Sequence, residues 1–260
     1  MTDEHHPERR RNAKGADGVE RVRDITLGTA RPADYSAADV APVADASVGE
    51  LVEMLDDPAA PTRRRATLAL AERECDQTVV ERLESLAVSD PDDEVRQFAV
   101  EAIAKLDGDP AVARDVLESD EDQWVRAEAA VALDRMARAE HEDYFEELLH
   151  DEAAGVRRNA LISLTRVRGT DARDALLDAV ADDDDRVREW AVKLLGTFDD
   201  DPDVESTLKG VLEDENEMDI VKQTAARSLG ARGEDVESLV EASGGTEMAG
   251  DHMLNQVPDS

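Results

Sequence analysis

Aromatic residues make up only 3% of this chain, cysteine occurs once, and no run of roughly 18 apolar residues is present. Each shortage excludes a class of protein. A lone thiol, Cys75, can form no internal bridge, which argues against a disulfide-stapled secreted module. The opening residues MTDEHHPERRRNAKG lack the apolar centre of a secretory signal, and with no long apolar run the expectation is a cytoplasmic protein that does not enter a membrane. Positive charge is also in short supply, with 30 basic against 64 acidic residues and a net charge of −34. A protein that coats nucleic acid needs the opposite balance.

With 41% apolar residues and so much like charge, a chain can fail to bury enough surface to offset its conformational entropy, so disorder is the first reading to test. The periodicity described below overrules it. The acid excess is similar in style to salt-in haloarchaeal proteins: Asp outnumbers Glu by 36 to 28 and Arg outnumbers Lys by 25 to 5. On that reading the charge reports habitat more than partner. At molar salt the Debye length is about 3 Å, so self-repulsion is largely screened.

Six segments align with one another: TRRRATLAL at 62–70, VRQFAVEAI at 95–103, VRAEAAVAL at 125–133, VRRNALISL at 156–164, VREWAVKLL at 187–195 and VKQTAARSL at 221–229. Their shared basic residues are Arg63, Arg96, Arg126, Arg157, Arg188 and Lys222, at spacings of 33, 30, 31, 31 and 34. Six residues before each of the first five stands an aspartate, namely Asp57, Asp90, Asp120, Asp151 and Asp182; the sixth repeat has Asn216 instead. Asp, Pro and Gly in these turns are helix starters, and the aspartate is expected to act as the N-cap. Apolar residues then fall one before the Arg and three, six and seven after it, which is one stripe of a helix. We call these the B helices.

Between them lie shorter amphipathic patterns, the A helices, such as VGELVEML at 48–55, VVERLESLA at 79–87 and DYFEELL at 143–149. One A/B pair cannot bury its apolar face alone, so neighbouring pairs must stack. The expected fold is all-α, an α-solenoid of about six helical hairpins. The pattern D-x5-R-x2-A-x2-A-L at this spacing resembles the short HEAT-like repeats of the phycobilin-lyase type. The resemblance implies that Asp57/Arg63, Asp90/Arg96, Asp120/Arg126, Asp151/Arg157 and Asp182/Arg188 form a structural ladder of hydrogen bonds between adjacent repeats. The expected organisation is an irregular segment over 1–46, the solenoid over 47–242 with a capping A-type helix at 235–242, and a disordered tail over 243–260. Within the first segment, 19–27 (VERVRDITL) is a candidate for local docking.

No constellation for catalysis stands out. The deoxyhypusine hydroxylases, an enzymatic branch of the wider repeat superfamily, use paired His-Glu motifs to hold iron, whereas His141-Glu142 stands alone here. Cys75 has Glu72, Glu74 and Asp76 around it, the opposite of an activating electropositive setting. Neither GxGxxG nor GxxxxGK[ST] occurs, and acidic runs such as 182–185 lack the spacing of an EF-hand loop. No cofactor, metal or small-molecule substrate is expected.

Charge is segregated. Extended to 62–73, 95–106, 125–138, 156–168, 187–198 and 221–232, the six B segments carry 18 basic against 5 acidic residues, in a chain that is otherwise strongly acidic. Positions one, two and five after the ladder residue lie away from the core stripe. By resemblance to HEAT-like solenoids, they line a concave groove. Among them, Arg64, Arg65, Leu68, Gln97, Phe98, Val131, Arg158, Ile162, Trp190, Lys193 and Arg227 form the expected partner-binding surface. The functional expectation is therefore a non-enzymatic scaffold or adaptor that binds an acidic segment of a protein partner. Two alternatives carry less support: a chromophore-handling enzyme, by resemblance alone, and a nucleic-acid-associated protein, against which the salt sensitivity of phosphate binding argues.

Overall fold

The protein is described from a computed structural model, which covers residues 43, 45–198 and 201–230. The expectations for most of 1–46, for the helix at 235–242 and for the tail at 243–260 lie outside the described residues. Among the described residues there is no strand, and the helices follow the repeat: α1 (Val48–Met54), α2 (Ala60–Leu70), α3 (Gln77–Ser89), α4 (Asp93–Lys105), α5 (Pro110–Ser119), α6 (Gln123–Ala137), α7 (Glu142–Leu148), α8 (Ala154–Arg168), α9 (Arg173–Ala179), α10 (Asp185–Leu195), α11 (Pro202–Glu213) and α12 (Asp219–Gly230). The odd-numbered helices are A and the even-numbered are B. This is the all-α, α-solenoid class of stacked helical hairpins.

The chain divides into two compact units between His141 and Glu142. In the first, α2 stacks on α4 and α4 on α6, while each A helix covers the B helix that follows it. The stripe read from the sequence is its core: Leu51, Leu70, Leu83, Ile103 and Leu133 are all fully buried. In the second, α8 stacks on α10 and α10 on α12. Leu161, Leu176, Leu195, Leu208 and Leu229 meet there in one apolar cluster. Each such leucine contributes about 2 kcal/mol of transfer free energy, which a single hairpin has no surface to realise.

The turns explain much of the aspartate content, with one change from expectation. The N-cap is not the ladder aspartate but the residue two positions later. Asp92, Asp122 and Asp184 cap α4, α6 and α10 by accepting backbone N–H bonds from the first turn. The ladder aspartates Asp90, Asp120 and Asp182 instead accept the N–H of those capping residues at 2.9 Å, closing a local turn. In the first and fourth repeats the capping position is Ala59 or Ala153, and α2 and α8 start without a side-chain cap. Helix α8 ends where Gly169 adopts φ 58°, a conformation that favours glycine. At the end of α10, a Cβ on Gly196 would come within 2.6 Å of the Ser228 hydroxyl, so glycine is what lets α12 approach there.

Candidate protein-interaction surface

The conserved-looking charges of the repeat turn inward, toward the next repeat. Arg63 donates from Nε and Nη2 to the two carboxylate oxygens of Asp90, each at 2.7 Å. Its Nη1 donates to the backbone carbonyl of Asp57, six residues back, at 2.9 Å. The same fork recurs from Arg96 to Asp120 (2.7 and 2.9 Å) and from Arg157 to Asp182 (2.8 and 2.7 Å). Arg126 also holds the carbonyl of Asp120, at 3.0 Å. A planar guanidinium matches a carboxylate in this two-bond geometry, and the third nitrogen ties down the turn. Hydrogen bonding to Asp90 raises the Arg63 guanidinium above its ordinary range, against the opposing effect of burial. At Asp182, burial pushes the carboxyl up, but the bonds from Arg157 and from the Asp184 N–H hold it below the usual carboxylate value.

The sixth repeat keeps the ladder with a different residue. Asn216 occupies the expected offset but is exposed, and Glu217 beside it receives Nε and Nη2 of Arg188 at 2.8 and 2.7 Å. The longer glutamate side chain makes up for the shift of one position. The signal was an acid one residue off register, which a fixed-offset reading passes over. Glu217→Ala should therefore destabilise the chain by about 2 kcal/mol, because it strands a half-buried guanidinium, while Asn216→Ala should cost less than about 0.5 kcal/mol. Urea midpoints of the two variants distinguish these roles.

Several other B-helix cations are also paired. Arg64 forms an ion pair with Glu94. Lys105 bonds Glu72 at 2.6 Å and Glu101 at 3.0 Å, Arg138 bonds Asp134, and Arg168 reaches Glu142 and Glu146. A further bridge that the repeat motif does not announce links A helices, from Arg173 to Asp201 at 2.5 Å and Asp203 at 2.7 Å.

The groove expectation needs correction at three positions. Gln97, Arg158 and Ile162 are buried, with exposures of 4, 5 and 7%. The reason is that B helices lie side by side, so part of the face opposite the core stripe is covered by a neighbouring helix. Leu68, Phe98 and Val131 are half-buried, as is Arg65, whose Nη2 donates to the Thr62 hydroxyl at 3.3 Å. In the second unit the surface is more open: Lys193 and Arg227 are exposed, and Trp190 is half-exposed. The Lys193 ammonium lies 4.0 Å from the Trp190 ring centroid, a cation–π contact on α10. Neither Lys193 nor Arg227 has a carboxylate partner among the described residues. The stacking of α10 on α12 puts Trp190, Lys193 and Arg227 on adjacent helices of one unit.

Other chemistry is not assembled. No group of three or more His, Cys, Asp or Glu side chains could hold a metal ion among the described residues. Burial first, and Asp76 second, push the Cys75 thiol up, away from the thiolate a nucleophile needs. No described helix is long and apolar enough to cross a membrane.

Comparison with known proteins agrees with this architecture. No curated protein matches the chain. Among solved structures it is similar to YibA of Escherichia coli, at 18% identity with a TM-score of 0.54 over 90% of this chain and 97% of that one. It is also similar to an archaeal HEAT-like repeat protein from Thermococcus onnurineus, at 14% identity and a TM-score of 0.48 over 86% and 97% of the two chains. A third is the complex of CpcE and CpcF of phycocyanin lyase from a Nostoc species, at 15% identity and a TM-score of 0.44 over 94% and 100%. At 18% identity the likeness to YibA speaks to fold alone. HEAT repeats match residues 48–118, 111–196 and 181–244, which together span most of the sequence, and the chain belongs to the HEAT-repeat family.

Proposed function

We propose that this chain is a non-enzymatic protein-interaction scaffold, and that the B-helix face of its second unit takes an acidic segment of a protein partner. The observation that carries the reading is the Trp190–Lys193 pair, an aromatic ring and an ammonium stacked at 4.0 Å on helices whose Arg157, Arg168 and Arg188 are already in ion pairs. Trp and cationic side chains in a shared patch are the usual anchors of protein interfaces. Arg227 adds a second open cation on the neighbouring helix. A phosphate-tracking role has less to draw on, because the ladder and the other ion pairs occupy many of the described arginines and phosphate binding decays steeply with salt. The acid excess is read as a salt adaptation, so the test belongs in molar KCl.

Selection of a random peptide library on the immobilised protein should enrich acidic peptides that carry an apolar anchor. Trp190→Ala should weaken the winners by about 2 kcal/mol, roughly thirtyfold in Kd, and move the melting temperature by less than about 3 °C. Enrichment of basic peptides, or undiminished binding to Trp190→Ala, would remove the proposal.

A further inference from the structure

Two buried carboxyl groups in the first unit play no part in the ladder or in the proposed interface. Glu101 of α4 and Glu128 of α6 are 7 and 5% exposed, in the layer where these two B helices stack. Two ionised carboxylates in one desolvated layer need two counter-charges. The cation whose charge favours an ionised Glu128 is Lys105. It is already engaged elsewhere, 3.0 Å from Glu101 and 2.6 Å from Glu72, just past the end of α2.

From α4, the groups facing Glu128 are Gln97, which hydrogen-bonds it, and the charges of Glu101 and Lys105. The ionisable residues of α5, Arg114, Asp115 and Glu118, are exposed, and Arg114 pairs with Glu118 at 2.8 Å. On α6 itself, Arg126 is engaged with the carbonyls of Asp120 and Glu121, Asp134 with Arg138, and Arg135 is exposed. The arrangement leaves Glu128 without a cation of its own.

We infer that Glu128 is a proton-holding residue that makes the stacking of the second and third repeats pH-dependent: it is a neutral acid when α4 and α6 are packed, and releasing its proton to solvent puts a second negative charge beside Glu101 and loosens that layer. The direction of its titration agrees. Burial first, and the charge of Glu101 second, raise the Glu128 carboxyl well above its ordinary value of 4.5, against smaller opposing effects of Gln97 and Lys105. The sign follows from linkage. At pH values where Glu128 is ionised in the unfolded chain but protonated in the folded one, folding takes up a proton, so this contribution to stability falls as pH rises and is lost above the folded value. The ladder acids Asp182 and Glu217, whose values are lowered, act with the opposite sign and weaken the fold as pH falls.

Comparison of wild type with Glu128→Gln isolates the effect, because glutamine keeps the shape and can still bond Gln97 while every other group titrates equally in both. Melting temperatures in molar KCl between about pH 5 and about pH 9 should diverge progressively, with the variant the more stable at the alkaline end. Parallel curves would overturn the inference. A carbon-13 NMR titration of the wild-type glutamate carboxyls gives a second readout that does not depend on the variant folding. One glutamate resonance, assigned to Glu128 and moved downward in pH by Glu101→Gln, should titrate well above the ordinary range. Ionisation of Glu128 in the ordinary carboxylate range would equally overturn the inference.

Discussion

Replacing Arg63 with alanine should cost about 3 kcal/mol of folding stability, seen as a lower urea midpoint with an unchanged slope. The figure follows from what the substitution leaves behind. Asp90 is 5% exposed and receives two guanidinium N–H bonds at 2.7 Å; without them its carboxylate keeps only the Asp92 N–H and the surrounding charges. The carbonyl of Asp57 loses its donor as well, so the turn before α2 is released together with the link between the first two repeats. Arg64, one residue on, pairs with Glu94 in a half-buried ion pair, and Arg64→Ala should cost about 1 kcal/mol or less. A comparable loss at both positions would mean that the ladder contributes no more than this simpler pair.

Phe145→Ala is the second large effect, about 4 kcal/mol. Phe145 is the largest fully buried side chain and sits on α7, a short A helix that packs on α8. A helix of seven residues is far below the length that is stable by itself, so α7 persists through this one anchor and Leu148. Alanine would leave a cavity under the helix and remove its main reason to dock. Thermal unfolding followed by circular dichroism should show the loss, and Phe145→Leu should recover most of it. A melting temperature within a few degrees of wild type for the alanine variant would contradict the assignment of Phe145 to the core.

How much of this was legible in the sequence depends on whether a feature is angular or relational. The stripe at one before and three, six and seven after the ladder residue gives a direction around a helix, and Leu70, Ile103, Leu133, Leu164 and Leu195 are buried where that direction predicts. The same arithmetic cannot say which neighbour covers the remaining arc. Gln97, Arg158 and Ile162 were read as groove residues because they point away from the stripe, yet each is covered in the stacked structure. Arg64, which the stripe places on the expected binding surface, pairs with Glu94, 30 residues away in the chain. Partner choice in the last rung was lost for a smaller reason. Glu217 replaces the expected aspartate by being one residue late and one methylene longer.

These pairings change how the charge of the chain is understood. The cations of the B helices have the pattern of a basic groove, but Arg63, Arg96, Arg157 and Arg188, with Arg64, Lys105, Arg138 and Arg168, each hold an acid of the same protein in place. On the proposed reading, the patch offered to a partner is the Trp190 ring with the Lys193 ammonium over it and Arg227 on the adjacent helix. In concentrated salt such a patch would rely on Trp190 more than on charge, since exposed ion pairs are weak and are screened further.

The central claim is that the repeat's arginine and the next repeat's aspartate work as one unit that joins hairpins. A double-mutant cycle on Arg63 and Asp90 tests it most directly, with Arg63→Ala, Asp90→Ala and the double variant measured in urea at molar KCl. The account predicts a coupling energy of about 2 kcal/mol, the double variant being little worse than either single one. Losses that simply add, with a coupling below about 0.3 kcal/mol, would contradict it.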